Sequence, residues 1–254
     1  MTASSKVALV TGAGAGVGLA AARRLASDGR ADCLVVNDID RARAEQAAAA
    51  ITADTGVEAI AAVADVSDWA AVEAMFDELG TGGADIVINN AGIPVGVMGG
   101  QRFLDSGPAD WAPWLDLNLS GVMNVTRLAL PRMVDQGWGR VITIVSDAAR
   151  VGEANLVAYS AAKAGAAGFM RALAREVGRH QITSNAVALG TILHGMLEQV
   201  LTPEQQEQMA SRYVLRRLGR PEDPAGMISF LAGPDADWIT GQTYPVNGGF
   251  AFNQ

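Results

Sequence analysis

Apolar residues along the chain alternate between two patterns: short runs, and longer stretches with helical spacing, the longest one free of proline, 155–178, being rich in alanine. The short runs lie at residues 6–10, 34–37, 59–64, 85–88, 140–145, 182–187 and 242–246. Each reads as a strand covered on both faces, because neither face carries a polar alternation. The stretches between them read as helices at about 19–27, 41–53, from a Ser67 cap to 79, 111–136, 155–178 and 224–232. Strand and helix alternate throughout, which predicts an α/β fold: an open, doubly wound parallel sheet with helices on both faces.

Glycine supplies the punctuation. It fills the turn at 12–18, breaks the chain at 82–83 and recurs between 92 and 108. No linker or shift in composition divides the sequence, so residues 1–254 read as one catalytic domain. Residues 188–218 read as a mobile segment. Its Leu193, Met196, Leu197, Val200, Leu201, Met209 and Tyr213 suit either a substrate lid near 191–218 or a helix pair resting on the core.

Composition narrows the function classes. The formal net charge is -8 with no basic cluster, so neither nucleic acid nor an anionic membrane surface is expected as a partner. No run reaches the length of a membrane span, and the glycines at 12–18 suit a phosphate loop better than an export segment. One cysteine, Cys33, sits in an apolar run and reads as a core residue, which fits a reducing compartment. His180 and His194 have no partners at metal-ligand spacing, so no metal is expected.

Two constellations carry chemistry. Tyr159 and Lys163 stand four apart on a predicted helix and so share a face. An ammonium beside a phenol favours the phenolate, and Lys163 is expected to pull the Tyr159 pKa down. The second is Gly12, Gly16 and Gly18 between the first strand and its helix, where backbone amides and the helix dipole can receive a phosphate. This is not the Gly-x-Gly-x-x-Gly spacing, since Val17 stands where that pattern needs a glycine. Asp38 ends the second strand. A carboxylate there accepts hydrogen bonds from ribose hydroxyls and repels a 2′-phosphate, which favours NAD over NADP; Arg41 and Arg43 nearby pull the other way. Asp65 ends the third strand and suits either an adenine amino group or a helix cap.

Thr11-Gly-x-x-x-Gly-x-Gly, Asn89-Asn-Ala-Gly92 and Tyr159-x-x-x-Lys163 occur in that order. With this set the chain resembles the short-chain dehydrogenase/reductase family from Lys6 to Phe250. The resemblance implies a Rossmann-type sheet, a nicotinamide cofactor and a homotetramer, and carries the expectation of a cytoplasmic enzyme. It maps the catalytic serine onto Ser146 and the active-site asparagine onto Asn118, beside Tyr159 and Lys163. Its cofactor contacts fall on Gly12, Gly16, Val17, Gly18, Asp38, Asp65, Val66, Asn90, Ala91, Gly92, Tyr159, Lys163, Gly190 and Ile192.

Two departures stand near the chemistry. The family usually has Pro-Gly-x-x-x-Thr after the sixth strand; here the stretch is Leu189-Gly-Thr-Ile-Leu-His194. Asn247 stands where an aspartate is commoner. The stretch Ser146-Asp-Ala-Ala-Arg-Val-Gly152 is similar to members that oxidise cyclic hydroxyacyl-CoA compounds and to the wider 3-oxoacyl reductases. A hydroxyacyl thioester is the first substrate expectation, with Arg150, Arg212 and Arg216 as candidates for a CoA phosphate. A steroid-like or alicyclic alcohol is the second, and a non-catalytic dinucleotide-binding protein the third.

Overall fold

Strands β1 (Val7–Val10), β2 (Cys33–Asp38), β3 (Glu58–Val63), β4 (Ile86–Asn89), β5 (Gly139–Ser146), β6 (Ile182–Leu189) and β7 (Thr243–Val246) form one sheet. All pairings are parallel, in the order β3-β2-β1-β4-β5-β6-β7. The computed structural model describes residues 5–79, 82–96 and 100–252, without the side chain of Met196.

The helices follow in chain order as α1 (Gly16–Ser27), α2 (Arg41–Thr55), α3 (Trp69–Glu78), α4 (Pro108–Leu115), α5 (Gly121–Gln136), α6 (Ala148–Val151), α7 (Val157–Val177), α8 (Gly195–Val200), α9 (Pro203–Ala210) and α10 (Glu222–Ala232). Adjacent strand residues point to opposite faces, and the core divides accordingly. Ala8, Val10, Leu34, Val36, Ile86 and Ile88 pack with Leu25, Ile51 and Leu231 of α1, α2 and α10. Leu9, Cys33, Val35 and Val87 pack with Val72, Val125 and Leu173 of α3, α5 and α7. Both faces are thus covered, and the strands read as continuous apolar runs for that reason. Cys33 is buried, and burial pushes its thiol pKa up. None of the described helices is long and apolar enough to cross a membrane.

Two expectations about elements need correction. The helix expected over 111–136 is α4 and α5 joined by a π-helical turn, Asp116–Ser120. Asn118 Nδ2 donates to the Trp114 carbonyl at 3.0 Å, occupying the acceptor that an α-helical ladder would give to the Asn118 amide. Ser67 does not cap α3. Asp68 does, accepting from the Ala70 amide at 2.9 Å. The segment at 188–218 holds a helix pair, α8 and α9, one of the two readings of its apolar residues, and α9 opens on a capping box between Thr202 and Gln205 with Pro203 behind it.

Candidate active site

A parallel sheet aligns the carboxyl ends of its strands along one edge, and the order reversal beside β1 opens a crevice there. The glycine turn after β1, Asp38, Asp65–Val66, Asn90–Gly92, Ser146 and Gly190–Ile192 all stand on that edge.

In the glycine turn, Gly12 and Gly16 have φ of +62° and +57°, a region that other residues enter at a cost. A side chain on Gly18 would overlap the Gly12 carbonyl and lie 2.6 Å from Asn90 Nδ2, so this glycine lets the turn fold onto β4. Asn90 Nδ2 donates to the carbonyls of Thr11 and Gly12 at 2.9 and 3.2 Å. Thr11 Oγ1 accepts the amides of Asn90 and Ala91 at 2.9 and 3.0 Å. The N-cap of α1 is Ala15, which offers no side-chain acceptor, and the first turn holds no acid. An anion is the ligand such an end accommodates. Val17 packs partly against the core on this first turn.

Asp38 is buried. Its Oδ2 accepts the Gly14 amide at 3.1 Å, and its Oδ1 accepts the Asp40 amide at 3.0 Å and Arg43 at 2.9 Å. Arg43 therefore pairs with the carboxylate. Asp65 Oδ1 takes both the amide and the hydroxyl of Ser67, at 2.9 and 2.7 Å, so this carboxylate organises a turn. Val66 is buried against Gly121, and its carbonyl accepts from Asn124 at 3.1 Å.

Four side chains meet where β5 ends and α7 begins. Ser146 closes β5; its Oγ accepts the Ala148 amide at 3.2 Å and lies near enough to the Tyr159 phenol to favour the phenolate. Lys163, one turn along α7 and 3% exposed, donates to the Ile144 carbonyl at 2.8 Å. Asn118 is fully buried, and its Oδ1 has no hydrogen-bond partner among the described residues. A side chain on Gly92 would lie 3.0 Å from both Asn118 Oδ1 and Lys163 Nζ, so the glycine keeps the space between them open. An unpartnered oxygen, a buried amine and an uncapped helix start along one crevice fit a ribose-bearing diphosphate such as a nicotinamide dinucleotide.

The electrostatics depart from the expectation in one respect. Burial pushes the Tyr159 phenol above its ordinary pKa, with the Ser146 hydrogen bond opposing and the Glu153 carboxylate reinforcing the rise. Lys163 does not lower it. Burial has itself pushed the lysine down to about 8, and its ammonium is engaged by a backbone carbonyl.

The altered 189–194 stretch has its own support. Tyr213 is buried, lies against Gly190, and its Oη accepts the Thr191 amide at 2.7 Å. Gly219 takes the Leu193 amide at 2.8 Å and gives its own amide to Thr191 at 2.9 Å. In a parallel bridge of this kind the amide and carbonyl of Ile192 point the other way. His194 is half-buried; its ring lies 4.0 Å from where a side chain on Gly16 would begin, rather than out in solvent.

Sequence reasoning passed over several contributors. Thr11 was legible only as the start of the glycine turn. Asp147 is buried, paired with Arg150, and bonded by Asn247 Nδ2 at 2.6 Å. Asn247 Nδ2 also donates to the Ala251 carbonyl at 2.8 Å, and Arg150 to that of Phe252 at 3.2 Å. Trp111 and Trp114 lie three apart on α4, a spacing that places them on one face. Trp114 meets the Tyr159 ring edge-on, 5.4 Å between centroids at 72°.

A family model described as enoyl-(acyl carrier protein) reductase matches residues 12–251. The chain is 39% identical over 251 residues to the 3-oxoacyl-(acyl-carrier-protein) reductase FabG of Pseudomonas aeruginosa, covering 98% of both. It is 35% identical over 248 residues to the 7alpha-hydroxysteroid dehydrogenase of Escherichia coli K12, covering 96% of this chain and 93% of that one. A solved 3-oxoacyl-(acyl-carrier protein) reductase from Brucella melitensis superposes with a TM-score of 0.90 at 30% identity, covering 97% and 92%. With the parallel sheet, the glycine turn and the Ser146–Tyr159–Lys163 grouping, these matches establish that the chain belongs to the short-chain dehydrogenase/reductase family of oxidoreductases.

Proposed function

We propose that this chain is an NAD-dependent oxidoreductase that interconverts a secondary alcohol and a ketone. The observation that carries the reading is the gathering of the Ser146 hydroxyl and the Tyr159 phenol at the carboxyl end of β5, with Lys163 and Asn118 behind them. The family supplies the nicotinamide dinucleotide; the choice of NAD rests on Asp38.

In the oxidation direction the substrate hydroxyl gives its proton to the Tyr159 phenolate, the minority form of a side chain whose pKa burial raises, while its carbon gives up a hydride, leaving a ketone and the neutral phenol. The nicotinamide, when bound, supplies the hydride acceptor, or the donor in reverse. Ser146 Oγ holds the substrate oxygen and stabilises the charge that develops on it. Tyr159 is the acid–base group, and Lys163 holds the nicotinamide ribose. Asn118 Oδ1, facing Lys163 Nζ across Gly92, orders the path by which the proton returns to solvent. The amides of the 12–18 turn hold the diphosphate, Asp38 the adenosine ribose, and the free backbone of Ile192 the carboxamide.

A thioester substrate has support from the Pseudomonas relative, whose name specifies oxoacyl chains, and a ring alcohol from the Escherichia relative, named for a hydroxysteroid. The arginines suited to a CoA phosphate are engaged within the chain: Arg150 with Asp147, Arg212 near Glu153 and over Phe250, Arg216 on the Ser211 carbonyl. We therefore base the assignment on the secondary alcohol common to both. The same reading takes the chain as one catalytic domain with 191–218 covering the substrate, assembled as a homotetramer in the cytoplasm.

Titration with NADH and NADPH, followed by nicotinamide fluorescence, tests the cofactor. NADH should bind at least about tenfold more tightly, as expected when a carboxylate meets the ribose; tighter NADPH would overturn the role of Asp38 and point to Arg43 as a phosphate partner. Turnover is read as reduced nicotinamide absorbance with NAD and secondary alcohols. Tyr159→Phe should abolish it while NADH affinity stays within about twofold, since the phenol acts only on the proton.

A further inference from the structure

Beside Tyr159, between α4 and the start of α7, lies a cavity of about 370 Å³. Three aromatic rings wall it. Phe103 and Trp111 stack 5.0 Å apart at 13°, and Trp114 stands edge-on to the catalytic phenol. Two of the rings are held in place. Trp111 Nε1 donates to Ser106 Oγ at 2.8 Å, and Trp114 is buried.

Three polar side chains of this cavity are engaged by the surrounding loop, and Asn155 and the Tyr159 hydroxyl complete its polar lining. Ser106 Oγ also donates to the Phe103 carbonyl at 2.9 Å; Gln101 gives its amide to the Asp105 carbonyl at 2.6 Å; Asp110 accepts the Gly107 amide at 2.8 Å. No lysine or arginine is among its described lining residues. Such a wall sets aromatic faces beside a few polar groups and, among the described residues, holds no cation for a phosphate or carboxylate.

Flat faces held at fixed angles suit a flat ligand. An aromatic ring gains stacked and edge contacts beyond its buried area. A flexible alkyl chain gains only the area and loses rotamer freedom when held.

We infer that the substrate carries an uncharged, apolar ring on or next to its carbinol carbon, and that this ring seats against Phe103, Trp111 and Trp114. The inference rests on the placement of the reacting alcohol at Tyr159. It assigns one arm of the substrate and leaves the other to the 191–218 side.

The test compares 1-phenylethanol with 2-octanol, of equal carbon number, as alcohols oxidised with NAD. The ring alcohol should have kcat/KM at least about tenfold higher, from two aromatic contacts. In Trp111→Leu, and independently in the more exposed Phe103→Leu, that ratio should fall to within about threefold, as one contact is lost in each. Equal or better use of 2-octanol, or a ratio unmoved in both variants, overturns the inference. If neither alcohol turned over, binding of acetophenone and 2-octanone to the NADH-saturated protein, read by tryptophan fluorescence, separates the two ideas. Tighter acetophenone that weakens in the variants would uphold the ring site while the reaction assignment failed. Equal binding, or none, would overturn both.

Discussion

At the scale of single residues, Lys163 is the clearest conflict between stability and function. Its amine is almost fully buried, has one backbone acceptor, and is pushed from 10.5 to about 8 by burial. Below pH 8 the ammonium is charged in folded and unfolded chains alike, and its desolvation penalty, roughly 3 kcal/mol, acts in full. Between pH 8 and 10.5 the unfolded chain keeps the proton and the folded chain releases it, so the penalty fades as pH rises. Lys163→Met should therefore raise the melting temperature of the cofactor-free protein at pH 7 by at least about 3 °C. That advantage should shrink over pH 8–10.5 in thermal melts, and the variant should have no turnover. A second residue-scale result concerns Asn247. Its amide donates to the buried Asp147 carboxylate, so the aspartate usual at this position would set two carboxylates against each other. Asn247→Asp should lower stability by about 1–3 kcal/mol in urea unfolding, and adding Asp147→Asn should recover most of it. A sequence read alone shows the unusual asparagine but not its partner, which stands 100 residues away.

At the scale of elements, legibility followed the range of the interactions involved. Strand runs and helix caps are local, so most elements could be placed from pattern, to within a few residues at their ends. The π-helical turn at Asp116–Ser120 could not, because it depends on one rotamer of Asn118 reaching a carbonyl. The start of α3 moved from Ser67 to Asp68 because both residues are competent caps and Ser67 is taken by Asp65. The glycine turn is the element whose function depends most on packing. Gly18→Ala would drive a methyl into the Gly12 carbonyl and Asn90. It should cost about 1–3 kcal/mol and weaken NADH binding in the same fluorescence titration. Gly178→Ala, where no atom lies near the added methyl, should show neither effect.

At the scale of the whole molecule, several apolar side chains remain outside the core of a lone chain. Val151, Val214, Leu215 and Phe252 are each more than half exposed, and Gly249 is packed against Val214 near the chain end. The proposed homotetramer gives these residues a place to be buried. Sedimentation should find four chains associated at micromolar concentration, and charged replacements at Leu215 and Phe252 together should shift the protein toward smaller species; a monomeric wild type would reject the assembly. The sequence by itself determined the alternation of strand and helix, the parallel sheet, the glycine turn and the pairing of Tyr159 with Lys163 on one face. All of these follow from periodicities and backbone preferences that act over a few residues. Only the tertiary structure decided which distant residues meet: Arg43 on Asp38, Tyr213 beneath Thr191, Asn247 on Asp147, and Trp114 against Tyr159. It also decided the protonation tendencies of Tyr159 and Lys163, because desolvation depends on every atom packed around a group and not on its neighbours in sequence.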